Sequence, residues 1–284
     1  MHAVVFSSRG GSAISSLPPE DSPPVDLAKL LAVPRFPRCA GYDPEWVIAN
    51  QMGPNVLWLT EFLCQAMDLR SDMRVLDLGC GKALSSIFLA REFGVQVWAT
   101  DLWIPAADNL ERIQEAGLED RVFPVHAEAH ALSFAAGFFD AALSVDAYHY
   151  FGTDDLYLGY LARFVRPDGQ IGMVVPSVRQ EIGPDIPPLL RPVWHWDFGS
   201  FHATAWWRAH WEKSGLVDIA TADSLPHGWE IWLQWEELWE KSGRPRLHSN
   251  LELLRADTGH LLGFTRVVAR RRAEPLYPSP LYSS

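Results

Sequence analysis

The stretch from Met73 to Trp103, MRVLDLGCGKALSSIFLAREFGVQVWATDLW, constrains the fold more than any other part of this 284-residue chain. Val75, Leu76 and Leu78 make a short apolar run suited to a strand buried on both faces. Asp77-Leu78-Gly79-Cys80-Gly81 then breaks the run, because glycines let the backbone turn sharply and let a ligand approach closely. From Lys82 the spacing becomes helical, with Leu84, Ile87, Phe88 and Ala90 apolar and Gly94 placed to end the helix. Val95, Val97 and Ala99 form the next strand, which stops at Asp101. Strand, glycine turn, helix and strand in this order open a parallel α/β sheet.

Three nucleotide-type readings compete for the unit. A dinucleotide fingerprint needs a third glycine three residues after Gly81, where Leu84 stands. A P-loop needs Ser or Thr after its lysine and a glycine five residues before it, where Ala83 and Asp77 stand. What remains is a glycine turn flanked by two carboxylates, with little provision for phosphate. A cation carrying a ribose suits it better, with Asp77 near the positive charge and Asp101 accepting from two hydroxyls.

These residues resemble the class I S-adenosylmethionine-dependent methyltransferases. Asp77-x-Gly79-x-Gly81 matches their first motif, although a third glycine common there is Ala83 here, and Asp101 matches the acidic residue after their second strand. The resemblance implies a Rossmann-like, mostly parallel seven-stranded α/β sheet with helices on both faces. It adds an N-terminal helical lid and a helical insertion before the last strand. It further implies S-adenosyl-L-methionine as cofactor. Asp77, Gly79, Cys80, Gly81, Asp101, Leu102, Trp103, Glu128, Ala129 and Asp146 are then its binding residues, Glu128 at the position that accepts from the adenine amino group. Quinone C-methyltransferases, cyclopropane fatty-acid synthases and methyltransferases of specialised metabolism look nearest, and these motifs leave the acceptor open.

The rest of the chain divides around this core. Residues 1–24 read as a flexible tail and 25–68 as the helical lid, with Asp43 capping a helix that has Pro44 in its first turn. Gly53-Pro54 breaks that helix, and a second runs from Asn55 to Met67. In the resembled family such helices close over the cofactor, which makes Tyr42, Glu45, Trp46 and Gln51 candidates for the pocket. Residues 69–272 form the core, with substrate-side insertions at 177–200 and 225–258, and 273–284 form a C-terminal tail. Within the core, Arg121–Val125, Phe138–Asp146, Gln170–Val175, Leu216–Thr221 and Leu261–Ala269 read as strands, and Asp154–Val165 as a helix. Tryptophans crowd between Trp194 and Trp239, and Trp229, Trp232, Trp235 and Trp239 share one helical face, suited to core packing. Trp194, Trp196 and Trp229 remain candidates to line a pocket.

His149 follows the fourth strand at the edge where open α/β sheets bind ligands, so it is the candidate general base. Tyr148 would orient the acceptor, with Tyr42 or Glu45 assisting. His126 and His130 lie four apart at a strand exit without a third ligand nearby, so no metal is expected. A net charge of −11 argues against nucleic acid as partner. No apolar run reaches membrane-spanning length and no signal peptide is visible, giving a cytoplasmic expectation without stable membrane insertion. Three widely spaced cysteines outline no disulfide framework. The expected partner is a small apolar or aromatic acceptor, methylated at carbon if the nearest groups are followed, with nitrogen and oxygen open; a homo-oligomer is compatible with this. The competing readings are a lipid cyclopropane synthase-like enzyme and a non-catalytic cofactor-binding interaction protein.

Overall fold

The structure, a computed structural model, describes residues 31–244 and 249–277. The expected tail at 1–24, the first residues of the lid and the end of the C-terminal tail lie outside them. Seven strands form one sheet in the order β3-β2-β1-β4-β5-β7-β6. They are β1 Arg74–Leu78, β2 Gln96–Asp101, β3 Val122–His126, β4 Phe139–Val145, β5 Val165–Val178, β6 Val217–Ser224 and β7 Leu262–Arg271. The first five pair in parallel, and β7 runs antiparallel between β5 and β6. All strand ends that follow the parallel direction therefore open on one edge, where the strand order reverses between β1 and β4.

Helices α3 (Leu84–Phe93) and α4 (Ala106–Glu115) cross between β1, β2 and β3, and α5 (Tyr157–Ala162) leads into β5. Helix α6 (Thr204–Glu212) precedes β6, while α7 (Gly228–Ser242) and α8 (Leu251–Asp257) fill the insertion before β7. Alternating side chains of the strands feed two apolar layers. Val75, Val97, Leu143 and Val174 face one, and Leu76, Leu78, Ala142 and Val175 the other, which also takes Tyr148, Tyr157, Trp207 and Trp211.

Ahead of the sheet stand α1 (Pro44–Asn50) and α2 (Val56–Cys64). Asp43 caps α1 as expected, its side chain accepting from Glu45 N, and Asn55 caps α2 onto Leu57 N and Trp58 N. Such a cap stabilises a helix by about 1 kcal/mol. Helix α2 is buried on every side, down to Thr60 and Glu61. The Glu61 carboxylate is satisfied by Arg38 N and by the backbone N–H and thiol of Cys39. Helix α2 ends at Cys64 instead of Met67, and it packs as a buried helix within the stretch 25–68 expected as a lid.

Strand β5 is longer than its apolar run. It begins at Val165 and carries a turn at 166–169 within it as an irregularity, with Asp168 left-handed at φ 60°. It also runs past Pro176 to Val178 along β7. Pairing with β4 stops at Val174, so Pro176 sits where β5 has one neighbour and its missing N–H is tolerated. Helix α5 is shorter than expected, since Asp154 caps a turn onto Leu156 N before the helix begins. Trp232, Trp235 and Trp239 of α7 are core. Trp235 meets Trp58 of α2 edge-on at 6.0 Å. No helix among the described residues is long and apolar enough to cross a membrane.

Candidate functional site

The loop leaving β1 is fixed by backbone and carboxylate contacts. Gly79 N and Cys80 N both donate to Thr100 O of β2, at 2.8 and 3.1 Å. Gly79 has φ 74°, and a Cβ there would collide with Ala147, the second residue past β4. Ala83 begins α3 at φ 62°, in the left-handed region, at the place where the resembled family often has glycine. An alanine pays roughly 1–2 kcal/mol for that conformation, so the substitution keeps the loop geometry at a local cost. Asp101 ties loop and strand together. Its Oδ2 accepts from Gly81 N at 2.8 Å, and its Oδ1 accepts from Trp103 N and Ile104 N. Buried Asn109 of α4 completes the frame by donating to Gly81 O.

Beneath the loop lies Asp77, wholly buried. Ser85 and Ser86, in the first turn of α3, both donate to its Oδ2 at 2.6 Å, while Oδ1 has no partner. Burial raises its pKa to about 6, against the two serine bonds, which lower it, and the Asp101 charge, which raises it further. Asp146, just past β4, stands in the left-handed region at φ 57°. Burial and the charge of Glu236 push its pKa up to about 8. Asp77, Asp101 and Asp146 thus gather carboxyl groups around one glycine loop, an environment that disfavours a further anion such as a phosphate. A cationic ligand with hydrogen-bond donors fits.

The link between α1 and α2 lies over this loop. Lys82 Nζ donates to Ala49 O, and Met52 Sδ is 3.0 Å from where a Cβ on Gly81 would stand. A Cβ on Gly53 would come within 2.5 Å of Asp146 Oδ2, and Trp235 Nε1 holds Gly53 O at 2.9 Å. Between them Gln51 is buried with its Nε2 unpartnered. An orphaned donor in the cover and an orphaned acceptor beneath the loop are buried groups that need a partner.

The expected catalytic residues separate. His149 sits in a single 3-10 turn, Tyr148–Tyr150, after β4. It is buried with Nδ1 unpartnered, and desolvation lowers its pKa to about 3. The burial that keeps the imidazole neutral also makes it a weak base. Tyr148 points the other way, into the aromatic layer between Phe151, Tyr157, Trp207 and Trp211. Tyr42 is turned from the site as well. It stacks on Phe88, and its hydroxyl donates to Glu92, eight residues and about 12 Å of helix rise beyond Leu84. Glu45 is exposed and ion-paired with Arg244 at the far end of α7.

The remaining candidates sit along the open edge. Cys80 is buried in the loop, its thiol held protonated by burial and the nearby carboxylates. Leu102 and Trp103 are exposed, and Trp103 touches Tyr150 at 5.9 Å between ring centres. Glu128 folds onto His130, accepting from its backbone N–H and meeting Nδ1 at 2.7 Å. Ala129 O accepts from Tyr157, and His126 Nε2 is turned to Leu102 O. Trp194 lines a cleft beside the 3-10 turn, whereas Trp196 is exposed and Trp229 donates to Leu254 O in α8. Ser85, Ser86 and Asn109 were missed in the sequence. The Ser-Ser pair opening the helix after a buried acid was the available signal for two of them.

Comparison with known proteins bears on the family and the fold. Residues 75–169 match the family described as a methyltransferase domain. The chain is 30% identical over 143 residues to Methyltransferase GfsG of Streptomyces halstedii, covering 49% of this chain and 50% of that protein. It is 29% identical over 183 residues to 2-methyl-6-phytyl-1,4-hydroquinone methyltransferase of Synechocystis sp., covering 61% and 55%. The chain therefore spans about half the length of the curated relatives it matches. The solved structure of geranyl diphosphate C-methyltransferase from Streptomyces coelicolor A3(2) superposes with a TM-score of 0.60 at 18% identity, over 75% of this chain and 76% of that one. At that identity the likeness concerns the fold.

Proposed function

We propose that this chain, a class I S-adenosylmethionine-dependent methyltransferase by its domain match and its sheet, moves a methyl group to a small apolar or aromatic molecule. The observation that carries the reading is buried Asp77, with one oxygen unpartnered beneath a glycine loop that gathers carboxylates and excludes a Cβ. S-adenosylmethionine, when bound, supplies a methyl group on a positively charged sulfur. Asp77 and the Gly79–Gly81 loop are assigned to its amino-acid portion, Asp101 to the ribose and Glu128 to the adenine amino group. Gln51 Nε2, from the cover, is assigned to a ligand acceptor such as a carboxylate. Asp146 is assigned as a carboxyl beside the loop that ionises when the cation binds, and neutral His149 forms part of the wall at the β4 end.

Positioning supplies much of such catalysis, since holding two reactants in line replaces a bimolecular encounter. The link Ala49–Gly53 would exclude water from the reacting centre by covering the loop. The names of the relatives, a quinol and a geranyl diphosphate methyltransferase, support an apolar acceptor class. Calorimetry with S-adenosylmethionine, followed by detection of S-adenosylhomocysteine with a panel of quinols, phenols and isoprenoids, tests the reading. Absence of binding would remove it, and binding without turnover of any acceptor would favour the interaction-protein alternative.

A further inference from the structure

Past the end of β5, the chain builds a second polar site outside the glycine loop. A cleft of about 120 Å³ is lined by residues that include Glu181, Ile182, Trp194, Phe198, Phe201 and His202. Its volume is of the order that holds a single six-membered ring. The wall is continuous with the β4 end of the sheet, because Phe201 meets His149 edge-on at 5.5 Å and Phe198 at 5.2 Å. Within this aromatic wall one titratable pair stands out. Glu181 Oε2 is 2.9 Å from His202 Nδ1, and Glu181 Oε1 accepts from Ala203 N at 2.6 Å. The backbone bond fixes the carboxylate, and the carboxylate fixes the ring, with Nδ1 as donor. His202 is then left with Nε2 as an acceptor, and that atom makes no hydrogen bond among the described residues. Trp206, one helical turn on, stacks on the ring at 3.6 Å and 10°, locking its plane.

A base oriented by a carboxylate, beside an aromatic slot, is an arrangement for removing a proton from a bound hydroxyl. We propose that this cleft receives the acceptor, that the acceptor is a phenol or alcohol on an apolar frame, and that His202 takes its proton. The inference rests on the methyltransferase reading and adds to it the acceptor's reacting group. In the step, the acceptor O–H bond breaks and its proton passes to His202 Nε2. The freed oxygen pair forms the new O–CH₃ bond as the methyl–sulfur bond breaks and its electrons stay on sulfur. The imidazolium is stabilised by Glu181 and by the Trp206 face, and then releases the proton to water. Besides Glu181, a titratable group near His202 is His210, stacked on Trp206 at 4.5 Å, its pKa lowered chiefly by burial and then by nearby Lys213.

The test uses the full chain saturated with S-adenosylhomocysteine and 4-nitrophenol as probe, whose phenolate is visible by its absorbance. In the wild type the bound probe should be more ionised than free probe at the same pH, with a matching imidazolium signal for His202 by nitrogen NMR. His202→Gln should keep S-adenosylhomocysteine affinity, bind the probe as neutral phenol and lower turnover of a phenolic acceptor by about 10²–10⁴-fold. Glu181→Gln should fall between the two. Equal probe ionisation in wild type and His202→Gln, or no imidazolium signal in the wild type, would overturn the assignment while leaving methyl transfer intact. Failure of S-adenosylhomocysteine to bind the wild type would instead remove the transferase reading, and this inference with it.

Discussion

The Gly81 N–H donates to Asp101 Oδ2 at 2.8 Å, so the acid that closes β2 also holds the glycine loop that leaves β1. Oδ1 is already shared by two further N–H groups, which leaves acceptor capacity chiefly on Oδ2. A ribose hydroxyl bound at Asp101, as proposed, would share that oxygen with Gly81. Ligand affinity and loop order would then be coupled through this side chain.

Asp101→Ala should accordingly show two effects. S-adenosylmethionine binding should weaken by roughly 1.5–3 kcal/mol, the range for hydrogen bonds to a charged group. The loop Gly79–Ala83 should also exchange its amide hydrogens faster without ligand. Calorimetry giving wild-type affinity in a folded variant would remove the ribose assignment. Unchanged exchange would remove the coupling.

Asp146 gives a pH signature of definite sign. Its folded pKa of about 8 lies above the usual carboxylate range, so folding favours the protonated form. The resulting stability is present below about pH 4 and is lost as pH rises toward 8. Asp146→Asn should raise the melting temperature by several degrees at pH 8.5 and change it little at pH 4. Binding of a cation should restore ionisation of Asp146. Calorimetry in buffers of different ionisation enthalpy should then show up to one proton released per ligand at pH 7. A melting temperature difference that does not vary with pH would contradict the assignment.

The cover gives a spatially restricted prediction. Hydrogen exchange should slow on S-adenosylmethionine binding in residues 44–54, while α2 should be protected with or without ligand because its faces are already buried. Gln51→Ala should lower affinity and leave α2 protection unchanged. Protection appearing throughout 44–64 would restore the wider lid. No change anywhere would make the link fixed structure.

The parts of the site legible in the sequence were those whose backbone demands a residue type. Gly79 must lack a Cβ and adopt positive φ, and an acid closing a strand is visible as such. The parallel start of the sheet followed from the same unit, because a strand–helix–strand crossover leaves few ways to continue, while the strand order did not. Catalytic roles were not legible, because adjacent residues face opposite layers. Tyr148 and His149 are neighbours in sequence, yet Tyr148 packs on Trp207 and His149 on Phe201. Tyr42 and Glu45 were placed by analogy with a lid, and their direction depends on how α1 docks along α3. The Glu181–His202 pair was invisible for another reason. Twenty residues of aromatic-rich loop separate the two, and only the folded loop brings them within 2.9 Å.

His149 is where sequence and structure pull furthest apart, and its replacement separates two accounts of the proton. Its pKa of about 3 is set by desolvation, so the neutral ring contributes stability above about pH 6.5 that is lost as pH falls toward 3. His149→Gln should therefore flatten the acid loss of stability across that window, measured by melting against pH. A base this weak has little driving force to hold an acceptor proton at neutral pH. The ring meets Phe201 of the cleft at 5.5 Å, which supports the proposed wall role. The variant should accordingly raise KM for the acceptor several-fold and keep kcat within about tenfold of wild type, with the acid limb of the kcat profile retained. If kcat instead fell by 10²–10⁴ and the acid limb vanished, His149 would be the base. Acceptor binding would then have to raise its pKa by several units, and the role assigned to His202 would fail.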